Sequence, residues 1–197
     1  ALLGDAGPVA DLAPSARSLE GFLFPDTYRF AVGVAPKQVV EHLTARFRFV
    51  WQSELSTAPD PWGTPLEVVT LASLVEAETS LARERARIAG VFVNRLRRGM
   101  LLQCDPTVVF ALERRGEWPG RLLRSHWLVD DPYNTYRYAG LPPGPINSPG
   151  RAALAAALQP DVHDDLYFVA DPAGGHAFSR SLAEHNRAVA RLQRSRR

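Results

Sequence analysis

Leu71-Ala-Ser-Leu-Val-Glu-Ala-Glu-Thr79 closes an apolar helix with two acids, Glu76 and Glu78. The helix start lies upstream at Thr64-Pro-Leu-Glu67, a capping box with proline at the first helical position. On a wheel of about 100° per residue, Leu71, Leu74 and Val75 fall within roughly 60° of Glu78, whereas Glu76 points about 160° away. Glu78 therefore shares a face with core-forming side chains. Desolvation disfavours a charged carboxylate and raises its pKa, which keeps a carboxylic acid protonated near neutral pH for use as a general acid. Taken alone, an acid at a helix end is usually solvated, so the rest of the chain must decide.

Upstream, residues 1–18 are rich in Ala, Gly and Pro and predict a loose or partly helical lead-in. Glu20-Gly-Phe-Leu-Phe-Pro-Asp-Thr-Tyr-Arg-Phe30 predicts a turn leading into a short strand. Ala35-Pro36 opens a helix whose stripe is Val39, Val40, Leu43, Phe47, Val50 and Trp51. Ser56–Gly63 is a proline-rich loop. Downstream, Ile88, Val91, Phe92 and Leu96 form one face of a helix stopped by Gly99. Asp105-Pro106 predicts an N-cap and first turn through about Glu113, and Ser148-Pro149 caps an Ala-rich helix ending before Pro160. Leu166–Ala170 and His176–Ser179 predict two strands around a turn, and Ser181-Leu-Ala-Glu184 is a second capping box. The expected fold is α+β: one helix-rich domain with a few short strands and a long Pro/Tyr loop.

The 197 residues, 46% hydrophobic and 22% charged, suit one sizeable globular domain. Net charge is only +2, and the basic run Arg191–Arg197 has no interleaved aromatics, so nucleic acid is not an expected partner. One cysteine, Cys104, excludes an intramolecular disulfide and a Cys-based metal cluster. The histidines show no metal-ligand spacing, so no metal and no cofactor are expected. No apolar run is long enough to span a membrane.

The loop from Tyr133 to Gly150 combines Tyr133, Tyr136 and Tyr138 with Asn134, Asn147 and several prolines. Proline stiffens the backbone, aromatic rings stack on sugar faces, and amides bond hydroxyl and acetamido groups; a structural crossover is the plainer alternative. Gln103-Cys-Asp105 precedes a helix, so Asp105 is an N-cap or a site residue, and Gln103 a donor to a ligand oxygen. Cys104 has no basic partner nearby in sequence and reads as structural. His185-Asn186 is expected to brace the Gly174–Phe178 segment.

Five blocks in this order resemble the catalytic domain of the endolytic murein lytic transglycosylases, the YceG-like family: Glu20–Tyr28; Leu71–Thr79; Val91–Leu96 with Gly99–Val108; Tyr133–Tyr136 with Gly140–Ile146; and Leu166–Ala170 with Gly174–Ser179 and Glu184-His-Asn186. The resemblance covers the chain from about Glu20 to the last helix. It implies a catalytic domain over 20–197, with 1–19 as a remnant of a preceding LysM-like region. It also implies cleavage between N-acetylmuramic acid and N-acetylglucosamine in nascent peptidoglycan strands, leaving 1,6-anhydro ends, at the outer face of the cytoplasmic membrane. An N-terminal anchor and cell-wall synthesis proteins as partners belong to the same expectation. The family's catalytic acid maps to Glu78. Gln103, Asp105, Tyr133, Asn134, Tyr136 and Tyr138 are the expected substrate contacts. Glu76, Thr79, His176, Glu184 and Asn186 are the expected supports, with Glu76 bonding the Asn134 loop. Two departures are Cys104 at a variable position and Ser181 in place of Thr. The alternatives are a glycan-binding module without catalysis, and a hydrolytic muramidase with Asp105 as base or nucleophile.

Overall fold

The computed structural model describes residues 2–55 and 62–195, so most of the proline-rich loop expected at 56–63 lies outside the described residues. Among the described residues the order is α1 (Pro36–Val50), α2 (Pro65–Glu78), α3 (Ala82–Arg97), α4 (Asp105–Arg114), α5 (Arg151–Leu158), β1 (Tyr167–Ala170), β2 (His176–Ser179) and α6 (Leu182–Ser195). The two strands pair antiparallel, Tyr167 opposite Ser179 and Ala170 opposite His176. The fold is α+β and helix-rich, as expected.

The capping box at α2 is formed: Glu67 Oε2 accepts from Thr64 N at 2.7 Å and Thr64 Oγ1 from Glu67 N at 3.4 Å. Every residue from Val68 to Val75 is buried, so the middle of α2 has no solvent face, while Glu67 and Ala77 near its ends are exposed. Helices α3 and α5 lie against it, and the alanines of α5 (Ala153, Ala156, Ala157) let the two axes approach closely. A buried hydroxyl inside α2 also fastens the Pro/Tyr loop. Ser73 Oγ accepts from Ile146 N at 3.0 Å, and Asn147 Nδ2 donates to Ser73 O at 2.8 Å. Because the middle of α2 is buried all round, a wheel alone does not separate Glu78 from Glu76. The surroundings of its C-terminal end do.

Helix α3 holds the strand pair beside that end. Asn94 Nδ2 donates to His163 O at 2.7 Å and to Asp165 O at 3.1 Å, and Arg87 pairs with Asp165 at 2.7 Å. A Cβ on Gly90 would lie 2.4 Å from Asp161 O, so only glycine lets this segment cross α3 so closely. Helix α6 follows on the strands. Glu184 Oε2 accepts from Arg180 N at 3.0 Å and Ser181 N at 3.2 Å, completing the second capping box.

Several local expectations are corrected. No strand forms near Phe30: Tyr28 OH donates to Phe24 O at 2.7 Å, and the Tyr28 and Phe30 rings stack at 6.0 Å without a partner strand. The lead-in is partly helical, as one of the two expectations had it, with 3-10 turns at Leu2–Gly4 and Gly7–Val9, and it is packed rather than loose: Val9 and Ala13 join the main core, and Arg48 donates to Pro8 O at 3.0 Å. The N-cap of α4 is Cys104 and that of α5 is Gly150, neither with a side-chain cap, so Asp105 and Ser148 do not serve as caps. No helix among the described residues is long and apolar enough to cross a membrane.

Candidate active site

Glu78 is the last residue of α2. Thr79 ends the helix in extended geometry (φ −149°) and is buried; its Oγ1 accepts from Leu81 N at 3.0 Å, which fixes the chain's exit. The Glu78 side chain reaches into a cleft of about 370 Å³. Burial raises its pKa above the ordinary carboxyl value, and the Asp105 charge adds to this, while the Cys104 thiol, His176 and Arg95 oppose it. The negative pole at the C-terminal end of α2 acts in the same direction as burial. The net result is a carboxyl biased toward its protonated form.

Arg95 on α3 lies across the cleft floor. Its Nε donates to Leu166 O at 2.6 Å and its Nη1 to Leu102 O at 2.8 Å and Leu101 O at 3.2 Å, under the Tyr167 ring at 5.0 Å. These bonds tie α3, the segment after Gly99 and the start of the strand pair together at the site. Burial lowers the Arg95 pKa, and the neighbouring Tyr167, Tyr136, Cys104 and Glu78 side chains oppose it. Arginine's intrinsic value is so high that it stays cationic.

One wall comes from Gln103–Asp105 and the Tyr133–Tyr136 turn. Gln103 holds φ +51°, rare for a residue other than glycine, and its N–H donates to Thr135 O at 3.1 Å. Cys104 N donates to Thr135 Oγ1 at 3.0 Å, and Thr107 Oγ1 donates to Cys104 O at 2.7 Å. Asp105 Oδ1 accepts from Tyr136 OH at 2.6 Å and Trp127 Nε1 at 3.1 Å, with the two rings stacked at 5.3 Å. Burial and the bond to Asp105 raise the Tyr136 pKa, so it remains a neutral donor. The Cys104 thiol is fully buried, and burial followed by the Glu78 charge pushes its pKa well up, which leaves it a poor nucleophile.

The opposite wall is the strand pair with α6. His176 Nδ1 lies 2.8 Å from Glu84 Oε2, and His176 N donates to Glu84 Oε1 at 3.1 Å. Burial pushes Glu84 up, but its bonds with His176 outweigh it and leave the pKa lowered. His185 of α6 stacks on Tyr167 at 5.3 Å, and burial, helped by Arg95, lowers its pKa.

The YceG-like family profile matches residues 4–191. The chain belongs to the YceG-like family. It is 38% identical over 171 residues to the endolytic murein transglycosylase of Bacillus subtilis (strain 168), covering 86% of this chain and 47% of that protein. It is 34% identical over 186 residues to the endolytic murein transglycosylase of Streptococcus pneumoniae serotype 2, covering 93% and 34% of the two. A crystal structure of a yceG-like protein from Listeria monocytogenes superposes with TM-score 0.79 at 34% identity, covering 94% of this chain and 65% of that one. The chain thus spans less than half the length of these two curated relatives.

In this YceG-like domain the cleft gathers Glu78, Gln103, Asp105, Tyr136 and His176. Other expected residues lie elsewhere. Asn134 is fully buried: its Nδ2 donates to Val129 O at 2.7 Å and Trp127 O at 3.0 Å, and its Oδ1 accepts from Tyr136 N at 3.0 Å. It orients Tyr136 and does not line the cleft, and none of these bonds involves Glu76. Glu76 instead lies 3.9 Å from Arg85. Tyr133 packs on Phe110 at 4.9 Å, and Tyr138 donates to Asp130 at 2.6 Å. Glu184 caps α6, and Asn186 is exposed outside the cleft. His185 meets Tyr167 rather than the Gly174–Phe178 segment. Arg95, Tyr167 and His185 line the cleft, and Trp127 braces it from behind Tyr136; sequence reasoning gave none of them a site role.

Gly175 (φ +84°) permits the Glu84–His176 pair, because a Cβ there would lie 2.2 Å from Glu84 Oε1. Gly175→Ala is expected to cost roughly 2 kcal/mol or more, read as a lower urea midpoint with unchanged slope. An unchanged midpoint would show that the turn absorbs the methyl.

Proposed function

We propose that this domain is a peptidoglycan lytic transglycosylase. It cuts nascent strands between N-acetylmuramic acid and N-acetylglucosamine and leaves 1,6-anhydro ends. The observation that carries the proposal is Glu78: a single desolvated carboxyl in an open cleft, on a rigid helix end, biased to be protonated. Protonated Glu78 donates to the glycosidic oxygen as the bond to C1 breaks. The resulting carboxylate takes the proton of the muramic acid C6 hydroxyl, whose oxygen closes on C1. Attack within one sugar carries a high effective molarity, so no activated water and no second nucleophilic carboxylate are required. Asp105 is the nearest rival for a hydrolytic role, but its Oδ1 is already occupied by hydrogen bonds from Tyr136 OH and Trp127 Nε1. Gln103 and Tyr136, which line the cleft, hold the sugars in this reading. In the intact protein the domain works at the outer face of the cytoplasmic membrane, tethered by an N-terminal anchor and alongside cell-wall synthesis proteins.

Mass spectrometry of uncrosslinked strands incubated with the domain in ¹⁸O water tests this. Anhydro-muramic ends without solvent oxygen are expected. Reducing ends carrying solvent oxygen would move the assignment to hydrolysis, and intact, bound strands to a glycan-binding module.

A further inference from the structure

Beyond Asp105 the surface sinks into a second cavity, of about 390 Å³. Asp105 lines both cavities, and Ala77, the residue before Glu78, lines the second. The two hollows therefore adjoin at the end of α2. Their chemistry differs. The first presents Arg95, Gln103 and His176. The second is walled by Val109, Phe110, Leu122 and Ile146, with Asn147 supplying an amide and Asp105 and Glu113 supplying carboxylates. Asn147 Nδ2 is held by Ser73 O at 2.8 Å, which fixes the amide's orientation, and its Oδ1 has no partner in the protein. A buried acceptor left unpaired is unfavourable and is relieved by a donor from a ligand.

A strand cut in its interior must extend to both sides of the acid, so a surface that cuts it needs a second holding place adjoining the first. An N-acetylated amino sugar fits this one. Its acetamido methyl and one ring face are apolar, and its N–H is a single, well-directed donor. Apolar walls with a few polar groups at fixed places are what such a ligand requires. We infer that the cavity between α4 and the Asn147 segment is a subsite for an N-acetylamino sugar adjoining the scissile bond, with Asn147 Oδ1 accepting the acetamido N–H. The inference rests on the transglycosylase proposal and adds where the strand continues.

Val109→Trp on α4 and Leu122→Trp on the loop after it fill the cavity from separate elements. Both positions are partly exposed, so thermal melting of each variant should match wild type. The expected result is a KM for glycan strands raised about tenfold with kcat within about twofold, the pattern of lost uniform binding. In the Glu78→Gln background, affinity for an N-acetylglucosamine hexamer should fall by a similar factor, and hexamer-induced amide shifts should include Val109, Leu122 and Asn147. Unchanged KM in both filled variants, with shifts confined to the Glu78 cleft, would overturn the subsite and leave the transglycosylase proposal standing. A wild-type domain that cuts no strand, yet loses hexamer affinity on filling, would keep the subsite and overturn the catalysis.

Discussion

Glu78→Gln is expected to lower kcat/KM for strand cleavage by at least about 10³-fold, because one group supplies both proton transfers. The amide has the shape of the acid and can still accept from the Cys104 thiol, so the fold should persist. The pH dependence follows from the raised pKa of Glu78. The acid form is needed for the first transfer, so the wild-type rate should fall as pH rises through the raised value. Stability carries the same sign. A carboxyl whose folded pKa exceeds its unfolded value contributes stability below the unfolded pKa and loses it as pH rises through the folded one. Glutamine has no such loss. Glu78→Gln should therefore unfold at a higher temperature than wild type at neutral pH, with the gap closing on acidification. Loss of activity with gain of stability separates a functional acid from a structural one. A variant that cuts strands at the wild-type rate removes Glu78 from the chemistry. One destabilised at every pH makes it a packing residue.

Arg95→Met should be the most damaging change to stability. The methionine fills part of the volume but leaves the carbonyls of Leu101, Leu102 and Leu166 without their donor. Each buried group left unpaired costs about 1–3 kcal/mol, so a loss above about 3 kcal/mol is expected. For a domain of this size that lowers Tm by roughly 6–12 °C. Cleavage should also be weakened at temperatures where the variant is folded, because Leu166 leads into the strand wall and Leu102 into Gln103. A Tm within a degree or two of wild type would mean that water replaces the guanidinium without penalty.

The helical skeleton was legible because its signals are local. Thr64-Pro65 with Glu67, and Ser181 with Glu184, announce helix starts through bonds made within one turn. The wheel sets Glu78 on the apolar face, but Val68 to Val75 are buried on every side, so the wheel alone does not single it out. Arg95 was not, because its partners lie up to 71 residues away and no spacing encodes that meeting. Asn134 was chosen for its amide chemistry, yet the local turn consumes that amide on Trp127 and Val129. Trp127 carries no local signal because the sequence from Gly116 onward has no periodic pattern, and only the folded segment, a short 3-10 helix at Arg124–Leu128, stacks it on Tyr136. The strand expected at Phe30 failed for want of a partner, which is a tertiary fact.

The burial of the middle of α2 on all sides also decides where the site can breathe. Backbone segments open with free energies that rise with their enclosure, and a central helix opens only when the whole domain does. Glu78 is joined to such a helix, so its carboxyl keeps its place through every local fluctuation. On the proposed function, the play needed to thread a glycan strand through the cleft falls to the rim, the hairpin from Tyr167 to Ser179, while the Glu78 carboxyl stays anchored like the anvil beneath a moving hammer.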